Sequence, residues 1–272
     1  MKNKKVLITL SCVMVLLLNI TLSAFAIDTG INANSQEKDI VFLTEGQGSV
    51  IQGDGSQDNP YTNINTAIKH VTSGGIIKII GTVSYSNYEE HQNLLPRPLV
   101  INKNVIFEGV DDSSLFMTRA PIQLAEDVIF RNLKMEFWAS NELMPGIPDS
   151  GLPGEPVDIG TDFRSGRSIY LAGHSLTLDN IDTRVDTVSF QRDYRPYING
   201  GTFLDEGSTG PKAVLNIINP NEGTQIAGIY AGDYWVERNY PVELNIRGEI
   251  VDRTIHTGGI TTDFAGDVVV NI

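Results

Sequence analysis

Cysteine is almost absent. The 272-residue chain has one, Cys12, inside an apolar run near the N-terminus. Everything beyond that run lacks disulfides and thiolate chemistry and must be held by burial and hydrogen bonding. Cationic residues are also few: 20 Lys and Arg stand against 33 Asp and Glu, a formal charge of −13. Such a chain repels nucleic acid and anionic membrane surfaces, which need a basic footprint. Nucleic acid is therefore excluded as the expected partner, whereas neutral glycans and calcium stay open. Histidine is sparse and scattered. His70, His91, His174 and His256 have no metal-ligand neighbour at local spacing and read as structural or surface residues. Long apolar stretches are limited to residues 6–22, and no second one is long enough to span a bilayer as a helix. Helical periodicity is nearly missing. A single segment shows it, too little for a doubly wound α/β fold, whose parallel strands need helical crossovers.

What is present begins with three lysines in residues 1–5, the apolar run, and Ala24-Phe25-Ala26 as a small-x-small cleavage site. This order predicts a secretory signal peptide over residues 1–26, cut between Ala26 and Ile27. Its removal takes three lysines and no acid, so the formal charge becomes −16. The mature chain is expected to be secreted or at the cell surface, with no membrane segment of its own. Residues 27–38 are polar and read as a flexible tether. Residues 39–272 read as one domain, opening with a strand at 39–43.

The most informative stretch is 53–83. Asn59-Pro60 opens a turn, because Pro fixes its own φ and pushes the preceding residue to extended conformation. Asn63 is a predicted N-cap, and Ile64, Ala67, Ile68 and Val71 share one face of a helix of about three turns. Ser73-Gly74-Gly75 is expected to stop it. Ile76-Ile77-Lys78-Ile79-Ile80 is a β-branched strand bounded by Gly81. A helix this short cannot bury its apolar face alone. It is expected to cap the open end of a strand stack. Gly53-Asp54-Gly55-Ser56, Asn59-Pro60-Tyr61, the amphipathic Ala67-Ile68-Lys69-His70-Val71 and the strand that follows resemble the N-terminal entry of the right-handed parallel β-helix proteins of the pectate-lyase-like superfamily. The resemblance runs from Ile40 onward. It implies an all-β fold, a right-handed parallel β-helix (solenoid) with a short N-terminal capping helix. It implies no single activity, because that superfamily holds lyases, hydrolases and adhesins.

Recurrence within the chain supports a solenoid independently. Val105-Ile106-Phe107-Glu108-Gly109 is echoed by Val128-Ile129-Phe130-Arg131-Asn132 and again by Ser175-Leu176-Thr177-Leu178-Asp179-Asn180. A second series is Val214-Leu215-Asn216-Ile217, Glu243-Leu244-Asn245-Ile246 and Val269-Val270-Asn271-Ile272. The spacing fits coils that each hold about three short strands. Alternation puts Leu176 and Leu178 inside and Asn245 opposite its apolar neighbours. The asparagines are either a stacked ladder or ordinary left-handed turn residues. Ala172-Gly173, Asn199-Gly200-Gly201, Ala231-Gly232 and Thr257-Gly258-Gly259 mark corners. A sandwich is the weaker alternative, since Asn199-Gly200 is the one Asn-Gly dipeptide available for a tight hairpin. The third copy of the second series stops inside a strand, so a longer parent protein is expected.

Residues 138–167 break the pattern with four prolines and five glycines. They read as a loop folded over a lateral face, with Phe137, Trp138 and Phe163 either pinning it or stacking on sugar rings. The densest charge cluster is Asp179, Asp182, Arg184, Asp186, Arg192, Asp193 and Arg195. On the resembling fold, lyases and hydrolases work on a lateral face with carboxylates, arginines and often calcium. The catalytic candidates are therefore Asp179, Asp182, Asp186, Arg192 and Arg195, weighed against a solvated face of weak ion pairs. No pectate-lyase signature stands in the sequence. The ligand-binding candidates are Trp138, Tyr194, Tyr197, Tyr234 and Trp235, with Tyr230 beside them as a possible glycan stripe. The sequence thus predicts a non-catalytic, adhesin-like or glycan-binding surface protein with no cofactor except possible calcium. The alternative is a polysaccharide lyase or glycoside hydrolase on the same lateral face.

Overall fold

A computed structural model describes residues 37–45, 53–85, 98–138, 167–183, 195–203, 210–232, 240–248, 250–257 and 267–272. All lie in the unit from Glu37 to Ile272. The expected signal peptide with its Ala26–Ile27 cleavage pair, the tether up to residue 36, and the 139–166 part of the insertion fall outside the described residues.

In chain order the first strands are β1 (Lys38–Leu43), β2 (Val71–Ile79), β3 (Thr82–Tyr85), β4 (Leu99–Ile101), β5 (Val105–Gly109), β6 (Leu115–Thr118), β7 (Ile122–Leu124) and β8 (Val128–Phe137). They continue as β9 (Ser168–Tyr170), β10 (Ser175–Asp182), β11 (Tyr197–Asn199), β12 (Ala213–Ile218), β13 (Ile226–Tyr230), β14 (Val242–Asn245), β15 (Val251–His256) and β16 (Val268–Asn271). One helix, α1 (Ile64–His70), lies between β1 and β2. Every pairing among these strands is parallel. Sheet A runs β1-β2-β5-β8-β10-β12-β14-β16, with β3 and β6 paired alongside the far half of β8. Sheet B runs β4-β7-β9-β11-β13-β15. From β4 on, the chain visits the two sheets in turn, and each visit lands one strand further along. Parallel pairing throughout rules out the sandwich, whose hairpins pair neighbours antiparallel.

The repeats are in register. Val105, Ile106 and Phe107 stand beside Val128, Ile129 and Phe130, and Leu176, Thr177 and Leu178 stand beside the same three. Leu215 and Asn216 stand beside Leu244 and Asn245, and these beside Val270 and Asn271. The two series are one stack, joined where Thr177 pairs with Asn216. Period-two alternation then sorts the faces. Phe107, Phe130, Leu178 and Ile217 point inward and are at most 1% exposed. The Phe107 and Phe130 rings stack with centroids 5.0 Å apart. In sheet B the inner row is Ile122, Ile169, Ile198 and Ile229, and both sheets contribute to one apolar core. The early turns hold three strand runs, as expected. Later turns show two described strands each.

Both readings of the asparagines hold. Asn132 and Asn180 sit at left-handed backbone, φ 50° and 51°. They are also rungs of a ladder: Asn180 Nδ2 donates to Asn132 Oδ1 at 2.9 Å, and Asn221 Nδ2 to Asn180 Oδ1 at 2.9 Å. A second ladder runs up sheet A, with Asn245 donating to Asn216 and Asn271 to Asn245.

Helix α1 starts as expected, with Asn63 Oδ1 accepting from Thr66 N. Ile64, Ala67 and Ile68 are buried, and the helix packs on β1 and β2. It ends sooner than Ser73-Gly74-Gly75 suggested. Val71 is already extended, φ −77° and ψ 145°, and opens β2. Val71 and Thr72 are β-branched, which favours the strand. Lys103 reinforces the stop, because its Nζ donates to the carbonyls of Lys69 and Val71 and pairs with Glu37. The glycines instead serve a bulge. Lys38 pairs with Val71 but Ile40 with Ile76, and Gly74 takes φ 82° in the extra stretch.

Candidate functional site

Sheet B turns an unusual outer row to the surface. Since Ile122, Ile169, Ile198, Ile229 and Ile255 face the core, their strand neighbours face outward. In register these are Val100, Gln123, Tyr170, Asn199, Tyr230 and His256. A second outer row holds Ser168, Tyr197 and Gly228. An outer face normally carries solvated side chains, yet Gln123, Tyr170 and Asn199 are at most 3% exposed. The segment after β11 covers the first part: Phe203 N donates to Gln123 Oε1 at 3.0 Å, and the Phe203 ring meets Tyr170 at 5.4 Å. Toward β15 the face opens only in part: Tyr230 is 8% exposed, Tyr197 is half-buried and His256 exposed. Tyr230 stacks on His256 with centroids 4.8 Å apart at 7°, and meets Tyr197 at 6.2 Å.

The coils are tight here. A Cβ on Gly200 would come 2.0 Å from Ala231 O, so only glycine lets the adjacent turns approach. Gly200 N donates to Tyr230 O at 2.7 Å, and Gly200 O accepts from Tyr240 Oη at 2.6 Å.

A buried carboxyl lies elsewhere in the stack. Glu136 shares the outer side of the third strand run with Met117 and is 4% exposed. Burial pushes its carboxyl above the usual range, partly offset by the Trp138 indole N–H, which donates to Oε2 at 2.8 Å. On sheet A the outer face carries a charge row, Lys78, Glu108, Arg131 and Asp179 in register. Burial raises Glu108, but hydrogen bonds from Lys78 at 2.7 Å and Arg131 Nε at 2.9 Å outweigh it and hold the carboxyl low.

The sequence candidates are scattered across these surfaces. Asp179 and Asp182 stand on β10 in sheet A, not on the aromatic face. Asn219 Nδ2 donates to Asp179 Oδ1 at 2.8 Å, and Asp182 packs against Gly223, where a Cβ would come within 2.1 Å of Oδ1. Arg195 lies two residues before β11. Tyr197 is on the outer face of sheet B, as is Tyr230. Trp138 is 3% exposed, with its indole turned to Glu136. Asp186, Arg192, Tyr194, Tyr234 and Trp235 lie outside the described residues. Gln123, Tyr170 and Glu136 were not singled out from sequence, Asn199 was read only as part of a corner, and His256 was read as scattered. Among the described residues no group of three or more His, Cys, Asp or Glu side chains is placed to hold a metal ion, and no helix is long and apolar enough to cross a membrane.

Fold and face define a mostly-β protein of parallel sheets with a polar and aromatic outer surface. No protein-family model, curated protein or solved structure matches the chain.

Proposed function

We propose that the chain is a secreted or cell-surface right-handed parallel β-helix protein of the pectate-lyase-like kind, which binds glycan on the outer face of sheet B without cleaving it. The alternating visits to two parallel sheets support the β-helix. The exposed end of the aromatic run, Tyr197 and His256 with the buried Tyr230 packed between them, carries the binding reading. Aromatic faces pack against the C–H faces of sugar rings, and neighbouring amides serve the hydroxyls. The acidic charge of the chain favours a neutral glycan over an anionic one. A binder is preferred to an enzyme because, of the described candidates, Asp179 accepts from Asn219 and Asp182 packs against Gly223, both on sheet A and away from the aromatic face. One observation favours the alternative, a polysaccharide lyase or glycoside hydrolase: a buried carboxyl raised as Glu136 is suits a general acid.

The test is to incubate the mature chain, residues 27–272, with neutral and acidic polysaccharides, with and without calcium. Retention without new reducing ends or unsaturated products is expected. Product formation would replace binding by catalysis, and no retention on any polysaccharide would refute the glycan reading.

A further inference from the structure

We infer that the outer face of sheet A docks a second copy of this chain, with a two-fold axis along the strand stack. That face has three outward rows. The middle row reads Ile40, Ile76, Ile106 and Ile129 from β1 to β8, then Thr177, Asn216, Asn245 and Asn271 from β10 to β16. Each of these side chains keeps some exposure, and Ile40 is 47% exposed. Adjacent outward isoleucines make an apolar stripe of the kind that marks an interaction surface. The flanking rows stand two residues before and two residues after the middle one on each strand.

The flanking rows decide which partner fits. A two-fold axis along the stack lays each strand antiparallel on its own copy, so the middle row meets itself and each flanking row meets the other. Isoleucine then covers isoleucine, and amide meets amide. At β8 the exposed Asp127 faces the partner's Arg131, and at β14 Glu243 faces the partner's exposed Arg247. At β12 Val214 faces the partner's Ile218, apolar on apolar. No strand from β2 to β14 sets like charges opposite each other. A two-fold axis along the strands would instead lay the isoleucines on the asparagines. The size also suits a dimer. Spacing of about 4.8 Å over the strands from β1 to β16 makes the face about 34 Å long, and five residues across make it about 16 Å wide. Two copies then cover on the order of 1,100 Å², just past the ~1,000 Å² that a specific interface needs. The isoleucine half is apolar, while a groove of about 430 Å³ over Asn216, Asn245 and Asn271 admits water to the other half. A dimer of micromolar affinity follows, and in dilute solution Ile129→Thr costs only what it costs one copy. Sheet B lies across the shared core and stays uncovered, so the dimer presents two such faces whatever they bind.

The experiment is sedimentation velocity of residues 27–272 from low to high micromolar concentration, where a monomer–dimer equilibrium is expected. Ile106→Lys with Ile129→Lys should stay monomeric throughout and melt like the parent. Arg247→Glu should weaken the dimer about tenfold. Adding Glu243→Arg to it should restore the parent affinity, because the exchanged charges meet again only across this axis. Residues 27–272 contain no cysteine, so Ile129→Cys introduces a single thiol. A short bismaleimide should join it to its own copy, and should not join Val100→Cys on sheet B. A monomer at every concentration, a dimer that survives the double lysine variant, or a charge exchange that restores nothing overturns the proposal. So does cross-linking through Val100→Cys in place of Ile129→Cys. Should the double lysine variant not fold, the charge exchange and the cross-link decide.

Discussion

Replacing Phe130 by Ala tests whether the repeats build one close-packed stack. Phe130 is 1% exposed, between Phe107 and Leu178 in register. Its ring stacks on Phe107 at 5.0 Å and meets Phe116 at 6.3 Å. Truncating a buried Phe to Ala costs about 3–5 kcal/mol, depending on how far the cavity collapses. Collapse is restricted here, because β8 is hydrogen-bonded to β5 on one side and β10 on the other. A loss of about 4 kcal/mol is expected, which for a domain of this size lowers the melting temperature by roughly 8–16 °C. The assay is urea unfolding of residues 27–272 followed by circular dichroism, with Ile129→Thr as the control. Ile129 is the next residue on the same strand but faces outward, so its replacement should cost under about 1 kcal/mol. Should Phe130→Ala unfold within 1 kcal/mol of the parent, or Ile129→Thr cost as much, the inward and outward assignments are wrong.

Ile68→Asp buries a charge under α1, where Ile68 is 4% exposed, and should cost about 3 kcal/mol or more; a melt like that of the parent would show that the helix does not cover the stack. Glu108 has a lowered folded pKa, so it stabilises above its unfolded pKa of about 4.3, and that contribution fades as pH falls through the lower folded value. Glu108→Gln should accordingly be weaker than the parent in urea at pH 7 and match it in strongly acidic buffer; an equal deficit at both would refute the ion-pair origin. Glu136 is the opposite case, because a raised folded pKa means that stability falls as pH rises from about 4.3 through the folded value. Glu136→Gln should equal the parent near pH 4 and exceed it at pH 8, and a variant weaker at pH 8 would show that the ionised carboxylate is held by a partner.

Much of the fold was legible because a parallel stack repeats its inner residues in register. Val-Ile-Phe at 105–107 and 128–130 could be matched by eye, since the same inward pocket demands the same shape. Continuity of the two series was hidden by unequal coils: 23 residues separate Glu108 from Arg131, but 48 separate Asn132 from Asn180. The helix end was misplaced because Gly74-Gly75 looked like a stop, whereas Val71 and Thr72 had already turned the chain into β2. The sheet B face was illegible for a different reason. Strands β9 and β11 have three residues each, too few for alternation to be counted. Tyr170, Asn199 and Tyr230 become neighbours only through pairing across two coils. Asn199 read as part of an Asn-Gly-Gly corner, and nothing local shows that its side chain is buried.

Sheet B, not the charge row of sheet A, is the proposed glycan face. This assignment is tested most directly by calorimetric titration of the best-retained neutral oligosaccharide into two double variants of residues 27–272. Tyr197→Ala with Tyr230→Ala should abolish measurable binding, while Asp179→Asn with Asp182→Asn should leave affinity within threefold of the parent. Loss of binding in the aspartate pair with retention in the tyrosine pair would contradict the account and move the site to sheet A.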